Sequence, residues 1–217
     1  RLHPPRDVLY AQFDLNCKVQ KTKVLGENYL YVESFIAYDS GKILMSGTYQ
    51  GKELHPYQRS TQFLGNNLSV TSMYDLVETR RNAFVAMLSP DFEVEWINLG
   101  TSDLDVSHER TSVLGDSIVV SFNYRKEMKV GNEKIESLKK DTEYSYGDAV
   151  ICFFDLSGKM LGYERSNGYR SYDNIEVFLT PRHRVFTGDF LYNMEVFGQK
   201  FTSDSKNSTN YVYFEER

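Results

Sequence analysis

Residues 148–154 read DAVICFF, an acidic residue followed by six apolar ones. Three related stretches also begin with Asp or Asn and run into apolar residues: DVLYAQF (7–13), NAFVAML (82–88) and NYVYF (210–214). The four starting points are 75, 66 and 62 residues apart. Self-similarity at a period of this size is typical of repeat architectures.

A second motif recurs with the same offsets. It reads KILMSGTY (42–49), SIVVSFNY (117–124) and RVFTGDF (184–190). The two motifs together define an ungapped unit of 43 residues that occurs at 7–49, 82–124 and 148–190. All variation in length therefore falls in three inserts, 50–81, 125–147 and 191–209.

Each unit predicts two β-hairpins, because its apolar runs are rich in Val, Ile, Tyr, Phe and Thr and are separated by turn residues. The first hairpin of the three units turns at Asp14–Lys18, Ser89–Glu93 and Asp155–Lys159. Four short strands per repeat match one blade of a β-propeller. The sequence thus predicts an all-β fold, a β-propeller of four-stranded antiparallel blades with about three to three and a half blades in this chain.

The predicted organisation is a single partial propeller domain spanning 1–217. Its repeat units are 7–81, 82–147 and 148–209, and a further unit starts at 210–217. Closed propellers contain roughly four to eight blades. We therefore expect the rest of a longer chain or a second subunit to be needed to close the ring.

The second unit resembles the bacterial β-propeller repeat family related to SBBP repeats. The resemblance rests on NAFVAMLSPD (82–91) followed by Val94, Glu95 and Trp96, and on strand ends at Met45–Gly47 and Phe186–Gly188. It implies a blade order in which two outer strands (7–23) are followed by full blades at 33–98 and 108–164 and by three strands in 174–217. It also implies a location outside the cytoplasm, in the periplasm, on the surface or secreted.

The predicted binding face is the end of the blades where the three inserts meet the connections 99–107 and 165–173. Variable loops on a rigid scaffold are where binding residues concentrate, although such loops are also tolerated without function. Aromatic, acidic and imidazole side chains are the candidates: Tyr57, Tyr74, Trp96, Asp103, Asp105, His108, Tyr144 and Tyr146. Local packing of the tyrosines and a solvated acidic loop around Asp103 and Asp105 are the alternatives.

Composition excludes several functions. The chain has 25 Lys and Arg against 30 Asp and Glu, a net charge of −5, which argues against nucleic acid as a partner. No apolar run is long enough for a membrane-spanning helix. The two cysteines and four histidines share no metal-ligand spacing, so neither a metal nor a cofactor is predicted, and Cys152 is expected to be a buried thiol.

These observations favour a non-catalytic binding or scaffold module that engages a protein or glycan partner through its long-loop face. One alternative is a propeller enzyme that acts on a polysaccharide or glycan, with its site over the central channel and carboxylates contributed by different blades. Another is a structural spacer within a larger envelope assembly. Fold alone does not choose among them, because function lies in the site.

Overall fold

The computed structural model describes residues 8–27, 30–54, 57–59, 61–64, 66–68, 80–102, 106–137, 148–168, 174–190, 193–196, 198–203 and 209–216. The regular structure in this part of the chain is β-strand, which confirms the all-β prediction. The strands are β1 (Val8–Phe13), β2 (Val19–Glu27), β3 (Leu30–Ala37), β4 (Ile43–Leu54), β5 (Tyr57–Arg59), β6 (Thr61–Phe63), β7 (Asn66–Leu68), β8 (Arg80–Leu88), β9 (Val94–Thr101), β10 (Val106–Leu114), β11 (Ser117–Tyr124), β12 (Glu127–Val130), β13 (Glu133–Glu136), β14 (Asp148–Phe154), β15 (Met160–Arg165), β16 (Asn167–Gly168), β17 (Asn174–Leu179), β18 (His183–Phe190), β19 (Asn193–Val196), β20 (Gln199–Thr202) and β21 (Thr209–Glu216). No helix long and apolar enough to cross a membrane occurs within these ranges.

Four antiparallel sheets follow one another along the chain, and a small fifth sheet, β16-β19-β20, lies next to the third. The first sheet has the order β1-β2-β6-β7. The second contains β3-β4-β8-β9, extended beyond β9 by the β12–β13 hairpin, with β5 pairing β4. The third has the order β10-β11-β14-β15, and the fourth has β17-β18-β21. Antiparallel sheets, including four-stranded ones, are therefore confirmed, and no closed ring forms among the described residues.

The turn after β1, β8 and β14 has one geometry in three different sequences. In each, the backbone N–H of the first residue donates to the carbonyl four positions on, as Asp155 does to Lys159, and its carbonyl accepts from the N–H three positions on, as Asp155 does from Gly158. The side chain of the first residue accepts two further backbone N–H groups. The fourth residue has a positive φ, which only Gly158 adopts without strain. The equivalent residues Cys17 and Phe92 adopt it at φ 59° and 62°. These turns confirm the three predicted hairpin turns.

The sheets pack face to face, and each interior strand is buried on both faces. We call the side of a sheet that faces the preceding sheet in the chain its front face, and the opposite side its back face. In the second sheet, Phe84 and Ala86 point to the front and pack with Leu25 of the first sheet. Their neighbours Val85 and Met87 point to the back and pack with the third sheet. Alternation along a strand sends successive side chains to opposite faces, which explains the continuous apolar runs.

The same two-faced burial is repeated in the third sheet. Val150 and Cys152 of β14 face forward into the core shared with the second sheet. Ile151 faces backward, where it packs with Val177 and Phe186 of the fourth sheet. Burying each of these large side chains stabilises the fold by about 1.5–3 kcal/mol. The apolar motif DAVICFF thus encodes a strand held between two neighbouring sheets.

Candidate functional site

The three inserts form hairpins that dock on the sheet before their own. The insert of the first unit contributes β6–β7, and β6 pairs with the end of β2 through Gly26 and Phe63. The insert of the second unit contributes β12–β13, which pairs with the end of β9. The insert of the third contributes β19–β20, which pairs with β16 just after β15. The predicted loop face is therefore built partly of paired strands that bridge neighbouring sheets.

The β12–β13 hairpin shows how firmly such an insert is held. Met128, Val130 and Ile135 are buried and belong to the core between the second and third sheets. Its exposed side carries Lys134, whose ammonium lies 2.9 Å from Glu127 and 3.1 Å from Glu136. Lys134 donates hydrogen bonds to these two carboxylates, which raises the pKa of its ammonium. The hairpin presents a fixed charged surface at the long-connection end of the sheets.

Most of the candidate binding residues lie outside the described residues or are described only as backbone. Tyr57 lies in β5, where its backbone pairs with Leu54. Five candidates lie outside the described residues: Tyr74, Asp103, Asp105, Tyr144 and Tyr146. Trp96 and His108 are described in full.

Trp96 joins two sheets at the tight-turn end. It lies on β9 of the second sheet, and its indole Nε1 donates a 2.9 Å hydrogen bond to the carbonyl of Leu156 in the turn of the third sheet. Asn98, on the same face of β9, donates a 2.7 Å hydrogen bond to the carbonyl of Gly158. A Cβ on Gly158 would lie 2.5 Å from the indole. The ring is therefore packed against a neighbouring turn.

His108 is fully buried between the second and third sheets. Its Nδ1 lies 2.7 Å from Oε2 of Glu33 on β3, and its Nε2 lies 2.8 Å from Oγ1 of Thr111. The Thr111 hydroxyl is 2.6 Å from Oγ of Ser46 on β4. The Glu33 side chain is 38% exposed, and its carboxylate also accepts a 3.1 Å hydrogen bond from the Thr48 hydroxyl. A continuous chain of hydrogen bonds thus runs from a buried serine to a carboxylate at the surface.

If His108 is neutral and carries its proton on Nδ1, every hydrogen bond of this chain has one donor and one acceptor, and all of them run from Ser46 towards Glu33. Ser46 then donates to Thr111, Thr111 donates to Nε2, and Nδ1 donates to Glu33, so each of these three protons has an acceptor. Sequence reasoning selected His108 and missed Glu33, Ser46 and Thr111. The available signal was the hydroxyl of Ser46 directly after the apolar run Ile43–Met45, since buried hydroxyls need hydrogen-bond partners.

A β-bulge on each of the strands β3 and β10 positions a glutamate beside this interface. Glu33 is the extra residue between Val32 and Ser34 on β3, and Glu109 is the extra residue on β10. Glu109 accepts a 3.2 Å hydrogen bond from Asn123, which occupies the position of Thr48 in the repeat. The bulge brings β3 so close to β4 that a Cβ on Gly47 would lie 1.9 Å from a backbone oxygen. Bulges re-aim single side chains in this way.

Charged groups also connect the third and fourth sheets. Arg110 on β10 lies 3.8 Å from Glu176 on β17, and its guanidinium lies 4.4 Å from the ring centre of Phe178. Ser112 accepts a 2.9 Å hydrogen bond from the backbone N–H of Leu179. Glu33, Glu109 and Arg110 lie on the first strand of a sheet, as does Glu176. The first strands of neighbouring sheets are thus joined by the pairs Glu33–His108 and Arg110–Glu176.

Burial shifts the pKa of one cysteine and of two tyrosines in the core. Cys152 is fully buried, as predicted, and desolvation raises the pKa of its thiol. Burial likewise raises the pKa of Tyr49 and of Tyr124. No group of three His, Cys, Asp or Glu side chains that could hold a metal ion occurs among the described residues.

No protein-family model matches this chain, and no curated protein matches it. The resemblance to bacterial β-propeller repeats therefore stays a prediction.

Proposed function

We propose that the chain is part of a β-propeller that acts as a non-catalytic binding or scaffold module. The stacking of four-stranded antiparallel sheets, in which the first strands of neighbouring sheets contact each other, supports the propeller architecture. The partner, a protein or a glycan, binds at the long-connection end. The observation that carries this proposal is the docking of all three insert hairpins at that end.

Pre-organisation explains why such hairpins suit binding. A hairpin that already pairs with the neighbouring sheet loses little conformational entropy when a partner binds, so more of the contact energy appears as affinity. The buried Ile135 fixes the β12–β13 hairpin, and the exposed Asn132, Glu133 and Lys134 face solvent at its tip. The repeated hairpins would together form an uneven polar surface of the kind found at the rim of protein interfaces.

Site-specific photo-crosslinking tests this proposal. A photoreactive residue in place of Asn132 is expected to capture a partner in the source cells, and one in place of Lys200 on β20 is expected to capture the same partner. The matched control replaces Asp116, which is exposed in the tight turn at the other end of the third sheet. The purified partner should then bind more weakly to a Glu133→Arg variant. Capture only at Asp116 would contradict the proposal.

Calorimetry with soluble polysaccharides tests the glycan arm. Binding heat with no change in polymer length supports a binding module. Shortening of the polymer during the titration would instead favour the enzyme alternative. Neither result depends on how many copies of the chain assemble.

A further inference from the structure

The two bulge glutamates, Glu33 and Glu109, occupy equivalent positions in the second and third sheets. Each is the extra residue on the first strand of its sheet, and each accepts a hydrogen bond from the matching position of the next strand, Thr48 or Asn123. Asn123 lies on the back face of the third sheet, because it alternates in step with Val119, which packs with the fourth sheet. The repeat therefore places one carboxylate between the second and third sheets and one on the side of the third sheet that faces the fourth.

At the first of these two places, the chain itself supplies a nitrogen that binds the carboxylate. His108, on the first strand of the third sheet, holds its Nδ1 2.7 Å from Oε2 of Glu33, and the Thr48 hydroxyl donates to Oε1. Both carboxylate oxygens of Glu33 therefore have a partner. One of the two partners is a side chain with no exposed surface, which belongs to the neighbouring sheet.

At the second place, the fourth sheet has an aliphatic residue where the third sheet has its imidazole. Ile175 pairs with Gly188 as His108 pairs with Phe122, and the two partners are equivalent positions of the repeat. Ile175 is fully buried in the core that the third and fourth sheets share. An aliphatic side chain donates no hydrogen bond, so the fourth sheet offers Glu109 no donor from this position.

Two acceptor atoms beside Glu109 are consequently left without a donor. Its Oε1 accepts hydrogen bonds from Ser107 at 2.8 Å and from Asn123 at 3.2 Å, whereas no described residue donates to its Oε2. Oδ1 of Asn123 is buried and also has no hydrogen-bond partner among the described residues, although buried acceptors are normally paired. The neighbouring Arg110 does not supply the donor, because it is paired with Glu176 at 3.8 Å.

We propose that Glu109 and Asn123 form a binding site for a cationic group with N–H donors: a guanidinium, an ammonium or an imidazolium. The group donates to Oε2 of Glu109 and to Oδ1 of Asn123, as His108 donates to Glu33 between the second and third sheets. Charge-assisted hydrogen bonds to a carboxylate are about twice as strong as neutral ones, which favours a cation over a neutral donor.

Access to this site is from solvent. The side chains of Glu109 and Asn123 belong to half-buried residues, so the group meets the carboxylate first, and the Asn123 amide then turns its Oδ1 towards it. The site lies on the first two strands of the third sheet and not on the insert hairpins, so it is additional to the surface of the proposed function.

Titration of the full chain with methylguanidinium chloride, followed by NMR, tests the inference. We expect saturable shifts of the Asn123 side-chain amide and of the Glu109 backbone amide, with a dissociation constant of about 1–10 mM for so small a probe. Glu109→Gln keeps the shape of the side chain and removes its charge, so it should weaken binding about tenfold or more. The matched control is Glu164→Gln, which removes an exposed carboxylate from β15 and should bind as the wild type does.

Ile175→His tests the equivalence of the two places directly. Its imidazole should donate to Glu109 and compete with the probe, so binding should be lost, whereas Ile175→Leu should retain it. Circular dichroism establishes that each variant is folded, and Glu109→Gln decides the outcome if Ile175→His does not fold. Unchanged affinity in Glu109→Gln would overturn the inference, as would the same saturable shifts with sodium chloride at equal ionic strength.

A second titration identifies the source of the cation. Tighter binding of a blocked Gly-Arg-Gly peptide than of methylguanidinium would support a site for a side chain of a protein, and equal affinity would support a site for a small molecule. Photo-crosslinking at Asn132 does not depend on this site, so the inference and the proposed function fail separately.

Discussion

His108 of the third sheet and Glu33 of the second sheet are joined by a hydrogen bond of 2.7 Å between Nδ1 and Oε2. The imidazole has no exposed surface, whereas part of the carboxylate reaches solvent. Because the two residues lie on different sheets, this bond couples the packing of one sheet to the other. It also orients the ring so that Nε2 meets the Thr111 hydroxyl.

Replacing His108 with Gln should destabilise the protein by about 1–3 kcal/mol, because Thr111 and Glu33 each lose a buried partner. A double-mutant cycle with Glu33→Gln, measured by urea unfolding, should give a coupling energy of about 0.5–3 kcal/mol. Glu176, which contacts Arg110, is the control, and Glu176→Gln should show no coupling to His108. Additive effects of His108→Gln and Glu33→Gln would contradict the direct bond.

Gly47 allows the β-bulge that presents Glu33. A Cβ at this position would lie 1.9 Å from the backbone oxygen of Tyr31, and a backbone atom within paired strands has little freedom to move. Gly47→Ala should therefore destabilise the protein by about 1–3 kcal/mol, as overpacking does in other cores. Gly162→Ala on β15 is the control, because no atom lies within 4 Å of its added Cβ. Equal unfolding midpoints for the two variants would argue against the close approach.

Gly158 combines a left-handed backbone with a neighbouring indole. Its φ is 81° and an added Cβ would lie 2.5 Å from Trp96. Gly41 has the same φ, but its added Cβ would lie 3.3 Å from Pro90, so Gly41→Ala carries the backbone strain without the severe clash. Gly158→Ala should lower the free energy of unfolding by about 1–3 kcal/mol more than Gly41→Ala.

Fluorescence gives a second measurement of the same contact. Trp96 is the single tryptophan, so its emission reports directly on packing against the turn. A red shift in Gly158→Ala and none in Gly41→Ala is expected. Unchanged emission in both variants would mean that the indole does not depend on this turn.

The stability that Asp155 contributes to the turn after β14 depends on pH. Hydrogen bonds from the Ser157 hydroxyl and from the backbone lower the pKa of this carboxyl below its ordinary value of 3.8. Since the pKa is lower in the folded state, the stabilisation is present above the unfolded pKa and is lost as the pH falls through the folded value. The difference in stability between wild type and Asp155→Asn should be largest above about pH 5 and should shrink below pH 3.8.

Asp155→Ser is the control for this experiment. It copies Ser89 of the equivalent turn, whose hydroxyl accepts the same two backbone N–H groups. This variant should keep those hydrogen bonds, and its stability should not show the acid-dependent loss assigned to the carboxylate. Urea unfolding midpoints measured from pH 2.5 to 7 check both expectations. If the difference in midpoint between wild type and Asp155→Asn grew as the pH fell, the assignment to the carboxylate would be contradicted.

The repeat and the hairpin turns could be predicted from sequence because they depend on neighbouring residues. Asp155, Ser89 and Asp14 each accept hydrogen bonds from residues within the next four positions, so their pattern is visible in a short window. Apolar runs such as 148–154 likewise show burial on both faces. The insert hairpins were predicted only as loops, because their strands become stable by pairing with β2, β9 and β16 of distant sequence.

Register was also decided by pairing across the sheet. Comparison of the repeats in sequence makes Asn210 the residue equivalent to Asp148. Tyr124 and Phe190 are equivalent positions of the repeat, 66 residues apart. In the structure, Tyr124 pairs with Asp148 and Phe190 pairs with Thr209, so Thr209 rather than Asn210 is equivalent to Asp148. A slip of one residue exchanges the two faces of a strand. The register seen in the structure places Val212 and Phe214 on the exposed back face of the fourth sheet.

The amino-acid sequence by itself determined the all-β class, the 43-residue unit and the tight turns, because each follows from alternation, turn chemistry and spacing along the chain. The tertiary structure alone decided which partners His108 has and which faces stay uncovered. Glu33 and His108 are 75 residues apart and carry no shared motif. They meet only because two sheets stack in register, and contacts between sheets depend on three-dimensional packing that no local pattern records.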